Sequence, residues 1–473
     1  MNRTKETVTR ISGRLAAALA FLAAFGFFQF AYPYHLMRRE QMNLFLYDWD
    51  YIRQTYRGVG WFARFVCDFT DQFFHLPAAG PLLVALMLVA IAAAVYRIAR
   101  HFLGRGASLV IAALFYAWSF LRETGNLYST QYTLVILGYL ALLLAALQFR
   151  KTWSKVLATA AFLAIGAWAL GTPMHKDYGR LWETPRIQYD KIIGLDTEIA
   201  REHWDKAIKL SQEDLYMTEA SYCFNLAHAM KGDLGEVLFE HSQNGTKGLL
   251  IMVSPDISLF SNCLAGEAWY HLGNMTIAEQ SAIIALQAAP KHTGTRFIER
   301  LARVNLISGE YGAAQKYLDM LGKSLFYRKW AKEMLAHIQN GTTPDWVAEA
   351  RTKLSKTDFV NNDNRFRPVL FNLLEANPTN GLAREYLLCY DLLAYHLDDF
   401  VEDYSKAISD EHLYQEAMLI WLSQQEKMTR DNLIRYRISA SLVEKMEVFF
   451  SYPQRYRTSY WYYYMNALMK SEQ

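Results

Sequence analysis

Residues 266–290 read GEAWYHLGNMTIAEQSAIIALQAAP. Apolar residues recur here at helical spacing on both sides of a Gly-Asn pair, so the stretch predicts two helices joined by a tight turn. Gly273 opens that turn, where a helix ends most cheaply on a residue that tolerates positive φ. Gly266 and Ala278 put minimal side chains on the two helices, which lets their axes approach closely. Ala285 and Leu286 close the second helix, and Pro290 stops it because it has no N–H to continue the ladder.

The same pattern returns along the tail. LISGEYGAAQKYLDML (306–321) repeats it with Gly309, Tyr311, Ala314, Tyr317 and Leu321, and its turn glycine lies 36 residues after Gly273. FNLAHAMKGDLGEVLF (224–239) is an earlier copy turning at Gly232, and REYLLCYDLLAYHLDDFVEDY (384–404) a later one in which Asp398 takes the glycine's place. These segments resemble the tetratricopeptide repeat, with Gly266, Gly273, Ala278, Ala285, Pro290, Gly309 and Ala314 as the defining positions. Each such hairpin exposes an apolar face that only a neighbour can cover, so the resemblance implies an α-solenoid with a concave groove for a protein partner. Two inserts, 242–260 and 353–369, interrupt the beat.

The front of the chain differs. Of 473 residues 52 % are hydrophobic, while mean hydropathy is only −0.03, which fits a chain divided into an apolar part and a polar part. Five apolar runs approach the ~20 residues that cross a bilayer: Leu15 to Tyr32, Pro81 to Tyr96, the shorter Ala107 to Leu121, Tyr132 to Phe149, and Trp153 to Gly171. None carries an ionisable residue at its centre, which argues against ion-coupled transport by this chain. The first run is too long for a signal-peptide core, and AYPYH after it offers no small-residue cleavage site. The expected fold is all-α: a helical transmembrane bundle of about five spans over residues 1–171, with an amphipathic outer loop at 33–80, followed by the tetratricopeptide-like solenoid over 172–473. Arg3, Lys5, Arg10 and Arg14, then Arg97, Arg100, Arg105, Arg150, Lys151 and Lys155, place the N-terminus in the cytoplasm by the positive-inside rule. An odd number of spans then sends the tail to the periplasm.

FAYPYHLMRREQMNLFLYDWDYI (30–52), TDQFFHLPAAGPLLVALMLVA (70–90) and LLEANPTNGLAREYLLCYDLLAYHLDDF (373–400) resemble an uncharacterised family of bacterial multi-pass membrane proteins, which implies an inner-membrane location and the architecture above. The N-terminal part also weakly resembles membrane glycosyltransferases that use polyprenyl-phosphate-linked sugars. That resemblance implies Asp48 or Asp50 as a general base on an acceptor hydroxyl, with Arg38 and Arg39 holding the lipid phosphate. The competing reading makes Asp48 and Asp50 a helix cap or exposed turn near Arg53 and Arg57, and makes Arg38 and Arg39 headgroup anchors. From Trp61 to Phe74 an apolar face opposes Arg64, Asp68 and Asp71, as in a helix lying flat on a membrane.

Other chemistry is sparse in the sequence. A formal charge of +3 gives no electrostatic case for nucleic acid. Twelve histidines include no HExxH and no zinc spacing with cysteine, so neither metal nor cofactor is expected. Cys67, Cys223, Cys263 and Cys389 all face an oxidising compartment on this topology; Cys223, Cys263 and Cys389 read as buried thiols, with a Cys223–Cys263 bridge as the alternative. The terminal SYWYYYMNALM (459–469) reads as an aromatic cap on the last helices or a sugar-stacking surface. The function expected is a membrane-anchored interaction or scaffold protein of the cell envelope, contacting membrane lipid and a protein partner, with the lipid-linked sugar transferase as the alternative.

Overall fold

The computed structural model describes residues 2–125, 129–171, 185–213, 217–357, 359, 361 and 365–471, with side chains from Gly13 to Met469. The side chains of Arg3, Lys5 and Arg10, the expected boundary at 171/172, and part of the 353–369 insert lie outside them. Among the described residues the structure is all-helical, with twenty-five α-helices and no strand beyond an isolated bridge. The chain divides into two units. Unit 1 comprises residues 1–193, 293–299 and 316–336; unit 2 comprises 194–292, 300–315 and 337–473.

The first nine helices are α1 (Asn2–Gly26), which runs on into a π-helical turn at Phe27–Ala31, α2 (Tyr34–Gln41), α3 (Trp49–Thr55), α4 (Trp61–Asp71), α5 (Ala79–Ala99), α6 (Arg105–Glu123), α7 (Thr130–Leu147), α8 (Thr152–Ala169) and α9 (Ile187–Ala200). Gly13–Ala31, α5, α7 and α8 are long and apolar enough to cross a membrane. Between 6 % and 39 % of each is buried by protein, so wide apolar faces, with Leu15, Leu19 and Leu22 among them, are left exposed. The Ala107–Leu121 run forms α6, whose ends carry Arg105, Arg122 and Glu123 and which is not among these four helices. The interior of unit 1 is built on Ala24, Phe28, Tyr32, Leu36, Phe74, Val84 and Leu88, with a second cluster at Ile91, Val95 and Ala112.

The tail continues with α10 (Trp204–Ser211), α11 (Thr218–Lys231), α12 (Leu234–Val237), α13 (Leu259–Leu272), α14 (Met275–Ala288), α15 (Thr295–Ser308), α16 (Tyr311–Leu321), α17 (Arg328–Asn340) and α18 (Asp345–Arg351). It closes with α19 (Phe366–Ala376), α20 (Gly381–Leu393), α21 (Leu397–Tyr404), α22 (His412–Gln424), α23 (Arg430–Arg435), α24 (Ala440–Ser451) and α25 (Tyr460–Ser471). The opening stretch is the hairpin α13–α14. A Cβ on Gly266 would lie 2.6 Å from Ser281 Oγ and 2.7 Å from its Cβ, so the glycine is what allows this approach. Ser281 Oγ in turn donates to the Asn262 carbonyl at 2.7 Å. Gly273 takes φ 87°, and Asn274 caps α14 by accepting from the Ile277 N–H at 3.2 Å.

Neighbouring elements of unit 2 are tied by polar side chains at helix ends. Tyr222 on α11 donates to the Leu264 carbonyl at 2.6 Å and accepts from the Ala268 N–H at 2.9 Å. Asn380 caps α20 and also donates to the Leu272 and Lys353 carbonyls at 2.8 and 3.0 Å. In the α20–α21 copy the left-handed turn position is Tyr395, at φ 61°, and not Asp398, which sits in the first turn of α21. The Tyr395 ring is held by stacking on Tyr463 at 5.0 Å. The terminal aromatics form a cap: Tyr460 and Trp461 are buried, and Trp461 Nε1 donates to the Glu416 carbonyl at 3.0 Å.

Gly266→Ala should destabilise the protein by about 2 kcal/mol through overpacking against Ser281. In a Ser281→Gly background the same substitution should cost less than half as much, measured as a double-mutant cycle by denaturant unfolding.

Candidate functional site

Asp48 has extended backbone (φ −137°, ψ 127°) and caps α3, accepting from the Tyr51 N–H at 3.0 Å. Its other oxygen meets Lys323 Nζ at 2.8 Å, so its ion-pair partner is Lys323 rather than Arg53 or Arg57. The Lys323 ammonium and the Tyr51 N–H hold the carboxyl below its ordinary value. Asp50 and Trp49 are exposed, Trp49 at 75 %. Arg57 and Arg64 turn instead to main-chain oxygens: Arg57 Nε to Arg53 at 2.5 Å, and Arg64 to Val59 and Arg57 at 3.0 and 2.5 Å.

Arg39 is committed within the protein. Its guanidinium donates to the fully buried Glu123 carboxylate at 2.9 Å, to Thr130 Oγ1 at 3.2 Å and to the Glu123 carbonyl at 3.2 Å, while Thr133 donates to the other Glu123 oxygen at 2.5 Å. Arg38, on the same helix, is half-buried. One turn earlier His35 lies 3.4 Å from Asp190, and burial pushes its pKa down.

The loop helix α4 forms where the spacing predicts it, with its acids packed inward and part of its apolar face left open. Asp68 and Asp71 are buried with Ala63 and Cys67, while Phe62 and Phe69 are exposed. The acids face inward because partners await them: Tyr56 donates to Asp68 at 3.1 Å, and Cys67 Sγ lies 3.4 Å from Asp71. Burial and the neighbouring Asp68 charge drive the Tyr56 pKa upward.

Beside α4 lies a recess lined by Glu40, Asn43, Phe45, Gln72, Thr295 and residues 324–327. Glu40 is 3 % exposed, and Tyr327 donates to its Oε1 at 2.9 Å. The 293–299 and 316–336 segments belong to unit 1 through such bonds: the Thr295 N–H donates to the Asn43 carbonyl at 3.0 Å, and the Tyr47 N–H to the Lys323 carbonyl at 2.7 Å. Sequence reasoning passed over Glu40, Tyr327 and Thr295, since nothing local marks residues so far apart as neighbours.

In unit 2, donor atoms of Asp391, His396 and Asp399 lie within 4.8 Å of one another, a grouping able to hold a cation. Arg367 already provides the positive charge, at 2.6 Å from Asp391, 3.3 Å from Asp399 and 3.0 Å from Asp403. All four cysteines are buried and outside any disulfide, and burial pushes the Cys389 pKa up. The repeat positions Gly266 and Ala278 lie at the α13–α14 contact, with Ala285 buried on α14 and Ala314 buried on α16.

Burial raises Glu385 to about 7 and Glu416 to about 7. Both therefore hold a proton when folded at pH values where the unfolded chain has released it. Their contribution is present below the unfolded carboxylate pKa and is lost as pH rises toward 7. The unfolding midpoint should fall between pH 5 and pH 7.5, and Glu385→Gln with Glu416→Gln should flatten that slope in a pH series of thermal melts.

No curated protein and no solved structure matches the chain. A family model described as a family of unknown function (DUF6057) matches residues 7–175 and 172–467, nearly the whole length. The chain belongs to that family of unknown function.

Proposed function

We propose that this chain is a membrane-anchored interaction protein of the cell envelope, whose tetratricopeptide-like hairpins bind a protein partner outside the cytoplasm. The observation that carries the reading is the α13–α14 hairpin, where Gly266 meets Ser281 and Gly273 turns the chain. This is the packing within a single tetratricopeptide-like hairpin, and hairpins of that kind stack to present a binding surface. The four apolar helices of unit 1 supply the anchor. The transferase alternative needs Asp48 or Asp50 free to take a proton, whereas Asp48 already caps α3 and pairs with Lys323.

The number of crossings decides the side on which the tail lies. Four spans return it to the N-terminal side, and α6 as a fifth sends it across. Reporter fusions near residue 125 and at the C-terminus test this: a periplasmic signal from the C-terminal fusion supports the reading, and a cytoplasmic one rejects it. Asp48→Asn and Asp50→Asn are expected to leave envelope function intact, because Asn keeps the α3 cap and the Asp48 change gives up only the ion pair with Lys323. Loss of a glycan product in either variant, with the protein still folded and inserted, would establish the transferase instead.

A further inference from the structure

The turn between α3 and α4 carries positive charge that the protein does not neutralise. Arg57 Nε donates to the Arg53 carbonyl at 2.5 Å, and Arg64 donates to the Val59 and Arg57 carbonyls at 3.0 and 2.5 Å. Two guanidinium groups are thereby held on one turn, yet among the described residues no carboxylate pairs with Arg53, Arg57 or Arg64. Arg57 is exposed and Arg64 half-buried, and the Arg57 Nη groups bond to no described residue.

The same turn is fixed to the end of an apolar helix. Gly58 and Gly60 take φ 73° and 76°, and the Gly60 N–H donates to the Trp168 carbonyl at 2.9 Å. The Trp61 ring meets the Trp168 ring edge-on at 5.8 Å. Trp168 lies in the last turn of α8, a helix of spanning length of which 6 % is buried by protein. The end of such a helix is where an apolar segment reaches the headgroups, and tryptophan favours that level. Apolar side chains stand open around the arginines: Val59 is 62 % exposed, Phe62 44 % and Trp168 58 %. Open apolar groups beside uncompensated arginines match a layer that offers acyl chains and phosphates together.

We propose that this turn binds an anionic phospholipid of the bilayer, with Arg57 and Arg64 on the phosphate and Val59, Phe62 and Trp168 against the upper acyl chain. A guanidinium donates paired hydrogen bonds to phosphate oxygens, which suits it to this group. A zwitterionic lipid has the same phosphate but brings its own cation, which the two arginines repel. The proposal rests on α8 crossing a bilayer and concerns unit 1 alone.

The test titrates full-length protein in detergent micelles with dioleoyl phosphatidylglycerol or dioleoyl phosphatidylcholine, and counts bound lipid by native mass spectrometry. Phosphatidylglycerol should bind more tightly. Arg57→Gln and Arg64→Gln should each weaken its binding about fivefold and leave phosphatidylcholine unchanged. Arg430→Gln, at an exposed arginine of unit 2, should alter neither. Position is tested separately in proteoliposomes. Bimane on Val59→Cys, selective because the four native thiols are buried, should be quenched by phosphatidylcholine spin-labelled near the carboxyl end of its acyl chain. Equal binding of the two lipids, unchanged phosphatidylglycerol affinity in the folded glutamine variants, an equal loss in Arg430→Gln, or an unquenched label overturns the proposal. Should Arg64→Gln fail to fold, Arg57→Gln and the label decide it. Alkaline extraction separates this proposal from the anchor on which it rests: release from the membrane removes both, whereas retention with an unquenched label rejects the lipid contact alone.

Discussion

Every helix leaves N–H groups at its start and carbonyls at its end without intrahelical partners, and the twenty-five α-helices of the described residues multiply that cost. Much of the polar sequence of this protein is spent there. Asp48, Ser129, Ser258, Asn274, Asn380, Thr429 and Ser439 each accept a main-chain N–H at the start of a helix. Arg351 serves the other end, donating to the Leu306 and Ile307 carbonyls at 2.9 and 3.0 Å as α15 closes. Asn380 does both, capping its own helix while holding the last carbonyl of α13. The tail is thus joined between hairpins by the same groups that terminate its helices.

That constraint explains why the acids of the first loop divide by role. Asp48 precedes a helix, and its carboxylate goes to the cap and to Lys323. Asp68 and Asp71 lie within a helix, have no cap to make, and turn to the interior where Tyr56 and Cys67 meet them. Arg39 follows the same logic from the cationic side. Sited at the end of α2, it is paired with the fully buried Glu123, a charge that would be expensive to leave alone.

The all-helical class and the α13–α14 hairpin were legible because they rest on local signals: helical spacing, glycine at a positive-φ turn, proline at a stop. Gly273 and Gly309 sit at the turns where they were read. The turn at 394–396 was misplaced by three residues, because tertiary stacking on Tyr463 lets Tyr395 hold a left-handed conformation that sequence reasoning reserves for glycine. The amphipathic pattern of α4 was legible as a pattern, but the burial of Asp68 and Asp71 was not. Periodicity states that two faces differ, while which face is buried depends on what packs against it, here the Tyr56 hydroxyl and the side chains beside Ala63.

The Glu40 recess was illegible for a further reason. Its carboxylate comes from residue 40, its hydroxyl donor from residue 327, and a wall from residue 295, brought together by unit 1 taking two short segments from far along the chain. Glu40 has no sequence signature, whereas the LYDWDY stretch at 46–51 looks like chemistry and does structural work. An exposed acid beside a lysine has its charge solvated and paired, so its position commits it to little. A carboxylate that the fold desolvates depends instead on the partners that tertiary structure brings to it, as Tyr327 is brought to Glu40.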